Sequence, residues 1–397
     1  MNKDRIAEIF FLLSITTAVF LLYFFIQPVA TYEGCKLCDA HQYRSMFDFF
    51  EGELLFKRAE FPYYSRIFVP LLASLLPGND ALFSFQMINL LFSVASVIAI
   101  YLLWKKLNIP LYLILIGLFW LLFHWTGIIR LNSLDAITVD VPTYLIQALF
   151  IFIVLKRRFN FLYILGPVGV LQRESMLVLL LVLLVFAFMH NYLFKEEEKF
   201  PVMTILAVLI LTIFIKYLYT SVFPPDEPGK NSVRLVLFYI REVLYDPFKL
   251  VRWIVGVFMA FGAFLILAIQ RADYKKDTTS SFMLFLSLMT LTYISLGVIA
   301  GGDSTRIVFL GFPFIMTWIL LQLKHISRIL TAIALLMSTI LMKLVSIIPD
   351  PGKDFYSFAQ WYPEFAEPGV VWGWGIYFAG CFLILYITNK FLRTKCK

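Results

Sequence analysis

The chain contains 397 residues, of which 61% are hydrophobic and 15% are charged. Because a soluble domain carries roughly 25% charged residues, this composition excludes a soluble fold as the main architecture. The net charge of +8 comes without a dense basic run interleaved with aromatic residues, which argues against nucleic-acid binding. The sequence also lacks a Gly-Lys-Ser/Thr phosphate loop and a His-Glu-x-x-His motif, so an ATP-driven pump and a zinc protease have no support.

Apolar runs of about 20 residues recur along the chain between short charged patches, the pattern typical of membrane-spanning helices. We therefore predict an all-α polytopic membrane protein with about twelve transmembrane helices, in a range of roughly eleven to thirteen. These form a single domain over 1–397 without a separate soluble domain. The first run is too long for a signal-peptide core and lacks a small-x-small cleavage site, so it is expected to remain as a span. The predicted spans are 6–28, 81–104, 110–129, 137–155, 159–171, 175–194, 201–223, 251–270, 281–300, 307–323, 326–348 and 370–391.

Two apolar segments do not fit a simple span. The predicted fifth span, 159–171, is short and contains Gly166, Pro167 and Gly169, so we expect it to be broken, tilted or re-entrant. Segment 65–76 is apolar but too short to cross a bilayer. We expect it to form a helix that lies at the interface or inserts partly.

Lys and Arg outnumber Asp and Glu in one alternate set of predicted loops, which also includes both chain ends. The positive-inside rule places that side in the cytoplasm. We therefore expect an integral protein of a bacterial inner or plasma membrane, with both termini cytoplasmic and the functional loops on the outer face. The long outer loops are 29–80, 224–250, which is expected to be amphipathic, and 349–369.

The first outer loop contains a predicted helix that starts at Asp39. Its apolar residues recur at helical spacing, which indicates a juxtamembrane amphipathic helix on the membrane surface. Asp39 either caps this helix together with Gln42 or serves as a functional carboxylate. His41, two residues on, is a lower-ranked candidate base. The apolar stripe consists of Tyr43, Phe47, Phe50 and Leu54.

After this helix, Arg66 enters an apolar segment next to Tyr63 and Tyr64. At headgroup depth a guanidinium can hold a lipid phosphate through two parallel hydrogen bonds. The alternative is an arginine that only extends its charged end to the membrane surface.

The acidic residue, a Tyr four positions later and the Arg-x-x-x-Pro-Leu-Leu-Ala segment resemble the GT-C superfamily of integral-membrane glycosyltransferases, such as mannosyltransferases and aminoarabinose transferases. The matching positions are Asp39, Tyr43, Arg66 and Pro70. The resemblance implies inverting transfer of a sugar from a polyprenyl-phosphate donor, with the acidic catalytic residue in the first outer loop. It covers most of the chain in topology, while its specific motif lies in that loop.

Three further patches fall in predicted outer loops and resemble elements of the same superfamily. Residues 130–144 contain Asp135 and Asp140, 172–175 reads Gln-Arg-Glu-Ser, and 301–306 reads Gly-Gly-Asp-Ser-Thr-Arg. Asp135 and Asp140 are five residues apart, so on one helix they would not share a face. At most one of them is therefore expected to reach a site.

Ionisable residues between apolar runs usually face a cavity or each other, which favours a functional role for Arg173 and Glu174. Asp303 and Arg306 have alternative interpretations, as a helix cap and as an interfacial anchor. Transfer from a lipid phosphate needs a base for the acceptor and cations for the departing phosphate. We assign Asp39 as the base and expect Glu174 to orient Arg173. The candidate phosphate ligands are Arg66, Arg173 and Arg306, and the supporting residues are His41, Tyr43, Asp140, Glu174 and Asp303.

No cofactor is expected, and a divalent cation is not expected to be obligatory because the first outer loop lacks a paired Asp-x-Asp. Cys35 and Cys38 form a CxxC on the expected outer side, where a local disulfide and a small-residue turn are the two alternatives. The expected partners are a polyprenyl-phosphate-linked sugar, a glycan, lipid or protein acceptor, and membrane lipids, without nucleic acid.

Other classes of function stay open at this point. A lipid-linked sugar transporter or flippase would have a similar number of spans, although the two similar halves typical of transporters are not evident. No sequence feature excludes a non-catalytic scaffold of GT-C shape. A glycan polymerase or ligase would carry a large late loop, but loop 349–369 is short, and we expect it to line the acceptor side of the site.

Overall fold

The computed structural model describes residues 3–34, 39–52, 60, 62–78, 80–194, 198–222, 232–271, 280–299, 302–324 and 326–395. This part of the chain contains helices and no β-strand, so the all-α prediction is confirmed. The helices are α1 (Lys3–Ile26), α2 (Ala40–Phe50), α3 (Phe68–Ser74), α4 (Ala81–Lys106), α5 (Leu111–Phe123), α6 (Arg130–Leu134), α7 (Val141–Leu155), α8 (Leu162–Gln172), α9 (Ser175–Leu193), α10 (Val202–Val222), α11 (Ser232–Tyr245), α12 (Phe248–Arg271), α13 (Ser280–Ile299), α14 (Ser304–Leu310), α15 (Phe312–Leu323), α16 (Arg328–Thr339), α17 (Phe355–Ala359) and α18 (Pro368–Lys395).

Seven of the described helices are long and apolar enough to cross a membrane, namely α1, α4, α9, α10, α12, α13 and α18. Helices α14 and α15 would form an eighth span, but they are bent by 70° at Gly311. Shorter apolar segments lie at 111–123, 141–155, 159–172 and 328–342. The protein is therefore a polytopic membrane protein in which several apolar helices are shorter than a full bilayer crossing.

Glycines create the sharpest features of these helices. Gly262 interrupts α12 with a φ of 60°, and an added Cβ there would lie 2.5 Å from the hydroxyl of Ser338. The same hydroxyl accepts a hydrogen bond from the backbone N–H of Ala263 at 2.9 Å, so α16 packs directly on the break. At Gly311 an added Cβ would lie 2.4 Å from the Tyr293 ring, which explains why the bend between α14 and α15 carries no side chain.

The two unusual apolar segments have different outcomes. Residues 159–172 form a 3-10 turn followed by the uninterrupted helix α8, so of the three expected alternatives the broken helix was wrong, and a tilted or re-entrant segment stays a prediction. Pro167 lies inside α8, and Gly166 lets the helix approach α10 so closely that a Cβ would lie 2.6 Å from the Thr212 hydroxyl. Segment 65–76 contains the short helix α3, which confirms that it is helical, while its place at the interface stays a prediction.

A small apolar cluster fixes the first loop against the rest of the bundle. Tyr43 and Phe47 of α2 are buried against Phe85 of α4 and against Val139, which precedes α7. Because α2 buries its apolar stripe in this cluster, this face of the helix is held next to the segment that joins α6 to α7.

Hydrogen bonds also tie the late loop to the end of α1. Gln27 exchanges hydrogen bonds with the backbone of Ile348, and both the N–H and the hydroxyl of Thr31 donate to the carboxylate of Asp350, at 3.0 and 2.6 Å. The buried guanidinium of Arg130 donates to backbone carbonyls at the ends of α5 and of the 328–342 segment, which would otherwise be unsatisfied. The end of α1, the start of α6 and the start of the late loop are therefore fixed next to each other.

Candidate active site

A cavity of about 430 Å³ lies where α2, α6, α14 and the late loop meet. Five charged residues from separate parts of the sequence, 39, 66, 173, 303 and 306, line it as expected, and a sixth, 135, was not expected there. The charged lining residues are Asp39, Arg66, Asp135, Arg173, Asp303 and Arg306.

Asp39 occupies the N-cap position of α2, but its carboxylate makes no capping hydrogen bond. Gln42, the other half of the expected capping pair, instead accepts a hydrogen bond from the backbone of Glu60 at 3.1 Å. The carboxylate of Asp39 faces the cavity and interacts with the Tyr63 hydroxyl. Burial raises the pKa of Asp39, and the nearby Arg306 partly opposes this effect. A carboxylate with a raised pKa is a stronger base than an ordinary aspartate.

Arg66 follows the 3-10 turn Tyr63–Ser65 and is held on two sides. Its Nε donates to Glu174 at 3.2 Å, and its Nη1 donates to the Tyr43 hydroxyl at 3.3 Å. The Ser65 hydroxyl donates to the other oxygen of Glu174. Glu174 therefore orients Arg66, and the expectation that it orients Arg173 was wrong.

Arg173 is instead bound by Asp140, which also binds Arg306. Nη1 of Arg173 donates to Oδ1 of Asp140, and Nε of Arg306 donates to Oδ2 at 2.6 Å. The backbone of Arg173 is extended whereas that of Glu174 is helical, so the two adjacent side chains leave the chain in different directions. The Asp140 side chain is only 4% exposed, and its carboxylate is used entirely in holding the two arginines.

All three arginines keep donors for a further ligand. Each uses Nε or Nη1 for its carboxylate, and in the described part of the chain no group accepts a hydrogen bond from the Nη2 of Arg66, Arg173 or Arg306. Because a guanidinium offers five N–H donors, these groups can hold an anion in the cavity without releasing their carboxylates.

Of the two acids in 130–144, Asp140 was chosen from the sequence as a site residue, but Asp135 is the one that lines the cavity. Helix α6 ends at Leu134 and α7 begins at Val141, so Asp135 and Asp140 do not belong to one helix. Asp135 lines the cavity, whereas Asp140 is buried and binds two of the arginines that line it. Burial raises the pKa of Asp135 to about 7, and its Oδ1 is buried without a hydrogen-bond partner among the described residues. The sequence patch 130–144 was correctly singled out, but the assumption that Asp135 and Asp140 share one helix allowed only one of them in the site, and Asp135 was left out.

The remaining predicted site residues have clear positions. His41 is exposed and its Nε2 hydrogen-bonds the backbone carbonyl of Tyr32 at 2.9 Å, away from the cavity lining. Asp303 makes no capping hydrogen bond and pairs with Arg306 at 3.3 Å. Within the described ranges no group of three or more His, Cys, Asp or Glu side chains is placed to hold a metal ion. The CxxC motif at 35–38 lies outside the described residues.

The late loop forms one wall of the cavity through Pro351, Phe358, Tyr362 and Phe365, while its expected role on the acceptor side stays a prediction. Behind this wall Glu364 accepts hydrogen bonds from the backbone and the hydroxyl of Thr305, at the start of α14. Burial raises the pKa of Glu364 to about 7. The late loop and α14 therefore position each other.

An apolar groove of about 240 Å³ adjoins the cavity. Arg66 and Arg173 line both spaces, together with Leu235 of the amphipathic helix α11. The groove is mainly apolar, and its lining includes Leu177, Val178, Leu296 and Leu310 from α9, α13 and α14. Two further charged residues, Glu174 and Lys216, also line it. A cavity lined by three arginines and three aspartates thus continues into a mainly apolar groove between helices.

No protein-family model, curated protein or solved structure matches this chain.

Proposed function

We propose that this protein is an integral-membrane glycosyltransferase of the GT-C kind, which transfers a sugar from a polyprenyl-phosphate donor to an acceptor. The observation that carries the proposal is the shared wall between the polar cavity and the apolar groove, formed by Arg66 and Arg173. A polyprenyl-phosphate sugar is charged at one end and a long hydrocarbon at the other. It therefore needs phosphate ligands located where a polar site meets an apolar path.

The chemistry follows from the arrangement around the cavity. The carboxylate of Asp39 takes the proton from the acceptor hydroxyl, whose oxygen then forms a bond to the anomeric carbon of the sugar. The bond from that carbon to the phosphate oxygen breaks, and the phosphate keeps the electron pair. The free Nη2 groups of Arg66, Arg173 and Arg306 stabilise the charge that develops on the departing phosphate.

The membrane arrangement in this proposal has twelve crossing segments. The seven long helices, the bent pair and the four shorter apolar segments correspond in chain order to the twelve spans expected from the sequence. The bias of Lys and Arg to alternate loops then favours cytoplasmic termini and a cavity that opens on the outer face of a bacterial inner or plasma membrane. The acceptor in this proposal is a glycan, a lipid or a protein on that face.

The donor end of the proposal is tested with undecaprenyl phosphate, which carries the phosphate and the hydrocarbon without a sugar. Binding to the purified protein is measured as thermal stabilisation in detergent. We expect Arg173→Ala and Arg173→Lys to weaken binding, because lysine keeps the charge but loses the planar set of donors. Arg328→Ala is the matched control, since Arg328 lies over Tyr112 and away from the cavity. Unchanged binding in both Arg173 variants would remove this residue from the phosphate site.

The base is tested by following release of polyprenyl phosphate from a panel of polyprenyl-phosphate sugars in the presence of cell-envelope acceptors. Asp39→Asn is expected to lower transfer by about 100-fold or more while leaving undecaprenyl phosphate binding intact. Asp80→Asn is the control, because Asp80 caps α4 and asparagine caps equally well. Movement of the lipid-linked sugar across vesicles without transfer would instead indicate a transporter. Binding without either activity would indicate a scaffold.

A further inference from the structure

A second site lies at the opposite ends of α7 and α8 from the cavity. Asp140 and Arg173 mark the cavity ends of these helices, while the turn that joins the other ends contains Lys156, Arg157 and Arg158. Arg157 has a left-handed φ of 53°, pairs with Glu198 at 3.5 Å and lies over the Phe200 ring. The middle basic residue of the turn is therefore neutralised by a neighbouring segment.

The two outer basic residues line an apolar cleft of about 310 Å³ between α7 and α8. Apart from Lys156 and Arg158, the lining consists of apolar side chains. Two of these, Phe161 and Ile164, are 53% and 68% exposed. The lining residues from the two helices and the turn are Leu149, Phe152, Ile153, Lys156, Arg158, Phe161, Ile164 and Leu165.

A third cation lies beside this cleft. The ammonium of Lys106, at the end of α4, lowers the pKa of Lys156, and Arg158 adds to the effect. Among the described residues no carboxylate forms an ion pair with Lys106, Lys156 or Arg158. Lys105, by contrast, pairs with Glu8 at 2.7 Å. Three neighbouring positive charges without a carboxylate partner among the described residues favour an external anion.

We propose that the cleft binds an anionic phospholipid, with an acyl chain between α7 and α8 and the phosphate held by Lys156, Arg158 and Lys106. The apolar floor favours a lipid over a soluble anion, because a soluble anion would leave the exposed Phe161 and Ile164 side chains uncovered. Basic residues at the membrane surface attract anionic lipids in this way. The site is separate from the cavity, so it does not depend on the proposed glycosyl transfer.

The experiment measures lipid retention by the full-length purified protein. The protein is incubated in detergent with an equimolar mixture of phosphatidylglycerol and phosphatidylcholine that have identical acyl chains, and the lipids that stay bound are counted by native mass spectrometry. We expect wild-type protein to retain phosphatidylglycerol preferentially. Removal of two cations in Lys156→Gln/Arg158→Gln is expected to reduce this preference on the order of 30-fold.

Two further variants separate the headgroup from the acyl chain. Lys105→Gln removes one charge next to Lys106, from a pair with Glu8, and should leave the preference unchanged. Leu149→Trp, which narrows the cleft without changing a charge, should lower retention of both lipids. Equal retention of the two lipids by wild-type protein would refute the proposal. So would a loss of preference in Lys105→Gln as large as that in the double variant.

Discussion

The carboxylate of Asp140 is the strongest single determinant of the site's geometry, and Asp140→Asn tests this directly. The aspartate binds Arg173 through one oxygen and Arg306 through the other, with a side chain that is 4% exposed. An asparagine at this position keeps one acceptor oxygen, and its amide group presents donors to a guanidinium that also only donates. The variant therefore leaves two arginines without their shared negative charge and one of them without its acceptor.

The expected cost can be bounded from the burial of the groups. Removing one partner of a buried ion pair costs about 3–5 kcal/mol, because the remaining charge stays buried without compensation. The two arginine side chains are 16% and 18% exposed, so solvent in the cavity reduces the penalty and we expect a value near the lower bound of about 3 kcal/mol. The same change at Asp303 is the matched control. That carboxylate also contacts Arg306, but it is 33% exposed and lies at 3.3 Å, so we expect a cost of about 1 kcal/mol or less.

Thermal unfolding in one detergent, followed by intrinsic fluorescence, compares the two variants with wild-type protein. Asp140→Asn should lower the apparent unfolding temperature several times more than Asp303→Asn does. The double variant Asp140→Asn/Arg306→Gln should recover part of the loss, because it removes one of the two uncompensated charges. Equal shifts for the two single variants, or no recovery in the double variant, would contradict a bridging role for Asp140.

Three other predictions follow from the structure. Burial raises the pKa of Asp135 to about 7, so the folded protein binds an extra proton between about pH 4 and pH 7, and its free energy of unfolding should fall as the pH rises through this window. Asp135→Asn should reduce this fall, and an unchanged dependence of stability on pH would contradict the assignment. Gly262→Ala should lower the free energy of unfolding by more than roughly 1 kcal/mol, because the φ of 60° and the Ser338 hydroxyl both disfavour a Cβ. Gly380→Ala, within α18 and next to open space, should instead raise the free energy of unfolding. Equal unfolding temperatures for the two variants would refute this account. Leu177→Trp should narrow the apolar groove and weaken binding of undecaprenyl phosphate more than binding of farnesyl phosphate, and an equal loss for the two chain lengths would argue against the groove as the hydrocarbon path.

Much of the candidate site was predictable from residue type and spacing. Arg66 and Arg173 were selected because they border apolar runs, and Asp39 and Arg306 because their surroundings resemble GT-C motifs; all four line one cavity. Burying a charge in apolar surroundings costs free energy, so charged residues at such positions usually face a shared cavity or pair with one another. His41 shares the chemistry of a base, but it lies one residue into α2 on an exposed face.

The pairing of these charges was not predictable in the same way. Adjacency in sequence suggested that Glu174 orients Arg173, whereas Glu174 binds Arg66, 108 residues away, and Asp140 binds Arg173 and Arg306, 33 and 166 residues away. Asp135 was passed over in favour of Asp140 because the two were considered on one helix, whereas α6 ends at Leu134 and α7 begins only at Val141. Local spacing reports which side chains share a helix face, but it does not report where a helix stops inside a packed bundle.

The sequence by itself determined that this chain is a helical membrane protein, because long apolar runs in a bilayer must satisfy every backbone hydrogen bond within the segment. Composition and periodicity are local properties, and they also located the charged residues that interrupt these runs. The tertiary structure alone decided which charges pair, that Asp135 reaches the cavity and that the polar cavity adjoins an apolar groove. Each of these features depends on contacts between segments that are distant in the sequence. Such contacts form only when the packed helices bring the side chains within a few ångströms and in the right orientation, which local sequence patterns do not specify.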